Sequence, residues 1–276
     1  MVHWGLLIVL YLFLAGMAGG ILFTTTMYEV FYNDTSSKIK KGYFYAFIIL
    51  IISVVFLIFD LERPERFLNM IFAYKFFSPM SVGSWALLFF GIVSFSLMAI
   101  NSQGVFSGIG NIILKFIPYK AILLIGAALS VFLSAYTGVL LSETTISIWS
   151  ATPFLGALFL TSGVSCGVCF LMFLNKEDHI FLSKGKILDN LCLLLEMAII
   201  LFFVLSLTIG YVSYNEIKHI LSGFYGFLFI GVGIILGIVI PLFMNAFAKK
   251  SLISPALVLV GGFFLRYAIV FAGQIR

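Results

Sequence analysis

The sequence predicts an all-α integral membrane protein with eight transmembrane helices in two four-helix bundles and with both termini outside the cytoplasm. Three observations lead there. Hydrophobic residues make up 62% of the 276, charged residues only 10%, and mean hydropathy is +1.19, a composition that suits lipid rather than water. Apolar runs near the roughly 20 residues needed to cross a hydrocarbon core of about 30 Å recur eight times. The basic residues between those runs lie mostly on one side.

Taken in order, span one covers Trp4 to Met27. It lacks a basic leader and a small-residue cleavage site, so it reads as a retained span rather than a signal peptide. Span two, Tyr43 to Phe59, follows Lys40 and Lys41 and is closed by Asp60. Span three runs from Met80 to Ile100, and span four from Tyr119 to Leu141, with Glu143 just beyond. These four form the first half, residues 1–142. Span five, Phe154 to Leu174, begins after Pro153. Span six, Ile187 to Ile209, carries Glu196 near its middle. Span seven is Phe224 to Phe247, and span eight, Leu252 to Ala272, encloses Arg266. These complete the second half, residues 143–276. A faint echo of Phe13 to Gly20 in Phe159 to Gly167 fits two parallel four-helix units, although small residues at such spacings are common wherever membrane helices pack.

Orientation follows from the positive-inside rule. Of the 16 basic residues, ten fall after spans one, three, five and seven: Lys38, Lys40, Lys41, Lys115, Lys120, Lys176, Lys184, Lys186, Lys249 and Lys250. The opposite face carries Arg63, Arg66, Lys75, Lys218 and Arg276. The net charge of +5 therefore reflects membrane topology and implies no nucleic-acid partner.

The three cysteines, Cys166, Cys169 and Cys192, fall inside spans five and six, where they read as small buried residues; no iron–sulfur cluster is expected in this chain. Haem is not expected either, because His3, His179 and His219 lie at span ends or in loops rather than within helices.

An ionised group at the bilayer centre costs roughly 2.5 to 3.5 kcal/mol on insertion scales, so Asp60, Glu143, Glu196 and Arg266 each need a reason. Asp60, Glu143 and Arg266 fall in the outer half, where they suit either proton handling in a polar pocket or an ion pair of Arg266 with Asp60 or Glu143. Glu196 reads as a proton-relay carboxylate or as a neutral, hydrogen-bonded acid. Tyr11 and Tyr136 also lie in the outer half. A buried phenol seeks a partner, which is either a neighbouring carbonyl or the carbonyl oxygen of a quinone.

The outer segments resemble one family, the membrane subunits of the polysulfide reductase type, or NrfD/PsrC family. The resemblance rests on Tyr11 to Gly20, Asp60 to Phe67, Ser78 to Trp85, Tyr136-Thr137-Gly138 with Trp149, Gly261 to Tyr267, and Ala272-Gly273-Gln274. It implies two four-helix bundles, no haem, and a menaquinone-like or ubiquinone pocket near the extracytoplasmic surface. It also implies a ferredoxin-type iron–sulfur partner subunit on that face, linked to a molybdopterin catalytic subunit. By position, Tyr11 stands where the family has a span-one quinone ligand that can be histidine. Tyr136 matches the span-four quinone tyrosine. Ile8, where asparagine can occur, implies a less polar pocket. The expected site is a quinone head group between spans one, two and four, held by Tyr11 and Tyr136 near Asp60, with Asp60 or Glu143 passing protons outward. An inert membrane anchor and a secondary transporter are the competing readings. Against a transporter, the spans are not conspicuously broken, and Glu196 stands alone at the midplane.

Overall fold

The computed structural model describes residues 4–32, 37–61, 79–102, 106–144, 146–209, 214–247 and 252–275. Among them no strand occurs, and eight helices are long and apolar enough to cross a membrane. They are α1 (Leu6–Tyr32), α2 (Ser37–Asp60), α3 (Pro79–Asn101), α4 (Tyr119–Ser142), α5 (Phe154–Leu174), α6 (His179–Ile209), α7 (Gly223–Phe247) and α8 (Ile253–Gly273). The protein is a multi-pass integral membrane protein.

Three helices outrun their apolar cores. α1 continues five residues past Met27, α2 begins at Ser37 rather than Tyr43, and α6 begins at His179 rather than Ile187. Backbone hydrogen bonding does not stop where hydrocarbon does, so polar first and last turns extend into the interface. Asp178 starts α6 by accepting the amide protons of Ile180 and Phe181, each at 3.0 Å, on its Oδ1, as an N-terminal cap does. Within α7 the stretch Phe227–Val239 is a π-helix, a form usually confined to single turns. A short helix, Ser107–Phe116, links α3 to α4.

α1 packs on α2, α4, α5 and α8. α3 bridges α2 and α4, while α5 contacts α4, α6 and α8, and α7 packs chiefly on α8. Glycines set the closest approaches. A Cβ on Gly20 would collide with the Gly163 carbonyl of α5, and one on Gly167 would collide with the Gly20 backbone. The two echoing segments of the sequence are therefore the two faces of one helix crossing, of the small-residue kind that lets membrane helices touch backbone to backbone.

Side chains tie the helix ends. At one end Glu29 of α1 accepts hydrogen bonds from Tyr43 of α2 at 2.6 Å and Tyr119 of α4 at 2.8 Å. Asn101 of α3 donates to the Tyr119 oxygen at 3.1 Å, and Lys40 lies 3.5 Å from the same carboxylate. Three helices thus meet on one acid, and α3 joins them through the Tyr119 hydroxyl. At the other end Trp149 is fully buried, donates to the Ile269 carbonyl at 2.9 Å and lies over Gly273. Gln274 exchanges two hydrogen bonds with the Trp4 backbone, at 2.8 and 3.1 Å.

Candidate functional site

Tyr11, only 2% exposed, lies on the second turn of α1, and Tyr136 lies on the penultimate turns of α4. Both line one cleft of about 70 Å³, walled also by Leu57 and Leu61 from the end of α2, by Met80, Gly83, Ser84 and Leu87 of α3, and by Leu140. Gly83 makes room for Tyr136. A Cβ at that position would stand 2.5 Å from the phenol oxygen, so a bare glycine backbone is what lets the ring reach the cleft. The Tyr136 oxygen faces the Gly83 amide, and its ring stacks on Phe132 at 6.1 Å.

Ser84 and Leu87 also border a second space of about 420 Å³, an apolar groove between α2 and α3 lined by residues such as Phe47, Val54, Gly91 and Phe95. A small chamber with phenol groups and an apolar groove between α2 and α3 thus share Ser84 and Leu87 as a common wall. Specificity in such sites comes from few polar groups in a mostly apolar lining.

The structure brings together only some of the residues singled out in the sequence. Tyr11 and Tyr136 share the cleft. Asp60 ends α2 between the cleft residues Leu57 and Leu61, next to the start of α1, where a Cβ on Gly5 would be 3.4 Å from its Oδ1. Glu143 follows α4 two turns beyond Tyr136 and is exposed. Ile8, expected to reduce pocket polarity, is half-buried and is not among the cleft walls. Most of the loop motifs, Glu62 to Phe67 and Ser78, lie outside the described residues.

Arg266 is elsewhere. Instead of pairing with Asp60 or Glu143, its guanidinium donates to the carbonyls of Gly262 and Phe159 and to the Ser162 hydroxyl, each at 3.0 Å. It lies over the rings of Phe159 and Phe13 at 4.9 and 5.7 Å. The side chain is fully buried at the α1–α5–α8 junction, against Gly16. Carbonyl oxygens, a hydroxyl and ring faces surround the cation where neither carboxylate reaches.

Glu196 is also less isolated than the sequence suggested. Ser162 stands between it and Arg266, and Asp189 lies within electrostatic reach. Asp189 was missed altogether, although it falls three residues into the sixth apolar run and meets the same test as Glu196. It is buried and accepts hydrogen bonds from Ser165 at 2.6 Å, from Cys169 at 3.4 Å and from Asn245 at 3.2 Å. Asn245 in turn bonds Asn190 and Ser254, both at 2.8 Å. The contribution of α3 to the cleft was likewise missed. The segment Ser78 to Trp85 was conspicuous in the sequence, but alternation along one helix gave no sign that Gly83 and Ser84 face Tyr136.

Comparison with known proteins agrees with this architecture. The family model for polysulphide reductase, NrfD, matches residues 1–276. An NrfD homolog of Haemophilus influenzae is 31% identical, over 99% of this chain and 94% of its own length. The C subunit of the polysulfide reductase of Wolinella succinogenes is 28% identical over 99% and 94%, and the NrfD protein of Escherichia coli is 25% identical over 99% and 95%. The match runs the length of the sequence and includes the segments that build the cleft and the α1–α5 crossing, so the chain belongs to the polysulphide reductase NrfD family of membrane redox-complex subunits.

Proposed function

We propose that the protein is the quinone-reactive membrane subunit of an oxidoreductase complex, binding a menaquinone-like quinone or quinol in the Tyr11–Tyr136 cleft. The observation that carries the reading is the pairing of two buried phenols from different helices over one chamber that shares Ser84 and Leu87 with an apolar groove. The phenols donate hydrogen bonds to the two oxygens of the head group, and the groove between α2 and α3 takes the isoprenoid tail. Met80, unbranched and 59% exposed at the cleft, swings aside to admit the ring.

A bound quinol supplies two electrons and two protons, and the protein's own residues orient it and manage the protons. Tyr11 and Tyr136 fix the head group, while the apolar walls exclude bulk water. Asp60, at the cleft edge on α2, receives a proton released from the head group, and Glu143, exposed at the end of α4, stands on the route to water. The lysine distribution favours this end lying outside the cytoplasm. There a ferredoxin-type iron–sulfur subunit docks and exchanges electrons, with a molybdopterin subunit beyond it acting on the terminal substrate. The Wolinella relative is named as one component of a polysulfide reductase, which supports membership in such an assembly. Arg266 serves as a packing cation in this scheme, holding α8 to α5 behind α1.

The test is Tyr136→Phe in the assembled complex, which leaves packing intact and removes one donor. Quinol oxidation should fall on the order of tenfold or more, since a hydrogen bond of about 1.5 kcal/mol corresponds to roughly that factor. Unchanged turnover and unchanged affinity for quinone-site inhibitors would rule out the cleft.

A further inference from the structure

At the opposite end of α1 from the phenol pair lies a separate groove of about 390 Å³ between α1 and α6. Its mouth is cationic. Lys184 sits over the Tyr32 ring at 3.3 Å and 5.5 Å from the Tyr28 ring, and among the described residues no carboxylate is within ion-pairing distance of it. Two acids at this end of the helices are engaged elsewhere: Asp178 holds the first amides of α6, and Glu29 holds Tyr43, Tyr119 and Lys40.

Thr24 supplies a second, independent observation. The run Thr24-Thr25-Thr26 is buried, and two of its hydroxyls bond back to their own helix, Thr25 to the Ile21 carbonyl at 2.8 Å and Thr26 to Leu22 at 2.9 Å. Thr24, 3% exposed, has no hydrogen-bond partner for its Oγ1 among the described residues and lines the groove. Leaving a buried hydroxyl unpaired is unfavourable, so the site calls for an acceptor. Below the mouth the walls are apolar, including Phe23, Leu188 and Leu191.

We propose that this groove holds one anionic glycerophospholipid, its phosphate on Lys184, an acyl ester carbonyl accepting the Thr24 hydroxyl, and one acyl tail along Phe23, Leu188 and Leu191. The order of depths agrees. Along α1, Thr24 lies about 6 Å below Tyr28 and about 12 Å below Tyr32, the two rings beside the Lys184 ammonium, so the hydroxyl lies on the hydrocarbon side of the cation, as the ester groups of a lipid lie relative to its phosphate. Tyrosines at the mouth sit at headgroup level, as interfacial aromatics do, and lysines between helices on the basic side of a membrane protein select anionic headgroups. A quinone would satisfy Thr24 but leave the cation unanswered.

The full-length protein, extracted in mild detergent from native membranes, tests this by native mass spectrometry with phosphatidylglycerol or phosphatidylcholine added. One phosphatidylglycerol should remain bound in preference to phosphatidylcholine. Lys184→Gln should cut its retention about fivefold, Thr24→Val should weaken both lipids alike, and Lys176→Gln should change neither. Equal retention of the two lipids by the unaltered protein overturns the proposal whether or not the variants fold. So does a quinone found in place of the lipid, or a Lys184→Gln protein that retains phosphatidylglycerol normally.

Discussion

Replacing Gly83 with alanine tests the cleft without substituting either tyrosine. The added methyl carbon would stand 2.5 Å from the Tyr136 oxygen and 2.7 Å from Cζ, whereas carbon atoms in contact settle near 3.5 to 4.0 Å. The ring must therefore retreat by roughly 1 Å. Misplacing a positioning group by about that distance can cost on the order of 100-fold in rate, while overpacking at one site costs about 1 to 3 kcal/mol of stability, which an eight-helix assembly tolerates. The assay is quinol-dependent turnover of the purified complex, with subunit content checked on the same preparation. Gly108→Ala, outside both the cleft and the groove and with nothing within 4 Å of its Cβ, is the control. Turnover of Gly83→Ala within about twofold of the unaltered complex, with subunits intact, would refute the view that Tyr136 is held in place for chemistry.

Other consequences concern the scaffold. Tyr119→Phe removes a donor to Glu29 and an acceptor for Asn101, and should lower unfolding stability in detergent by about 1 to 2 kcal/mol; Tyr43→Phe in the same background should cost more than it does alone, because Glu29 then keeps only Lys40 of these partners. Gly20→Ala drives a methyl group into the Gly163 backbone and should destabilise by about 1 to 3 kcal/mol or more, measured as a lowered melting temperature. Gly108→Ala, with nothing within 4 Å of its Cβ, should be neutral or stabilising by up to about 1 kcal/mol. Asp189→Ala strips Ser165 and Asn245 of their shared acceptor and should destabilise the α5–α6–α7 region by about 2 to 4 kcal/mol, with quinol turnover unaffected if the phenol cleft is the reactive site.

The fold was legible because lipid imposes a simple grammar: every backbone group must be bonded within the segment, so each long apolar run had to be a helix, and Phe154–Leu174 was placed to the residue. Helix ends were less legible because Tyr32, Ser37 and His179 lie in polar stretches that hydropathy cannot distinguish from loop. For the site, a buried tyrosine inside a span is rare enough to notice, and Tyr11 and Tyr136 do share a cleft. What failed was reasoning about partners. Arg266 was matched with carboxylates by charge and depth along the membrane, but depth says nothing about which face of a helix a residue occupies. Its actual partners, two carbonyls and the Ser162 hydroxyl, carry no sequence signature. Glycines were similarly ambiguous. Gly20 and Gly83 look alike in sequence, yet one admits a neighbouring backbone and the other a phenol ring.

The central claim is most directly tested by photoaffinity labelling of the purified complex with an azido-quinone, followed by peptide mapping. The account predicts labelling of the Leu57–Leu61 and Met80–Leu87 segments, suppressed by excess native quinone and weakened in Tyr136→Phe. Labelling confined to the Thr24–Lys184 groove, or none that quinone displaces, would contradict it.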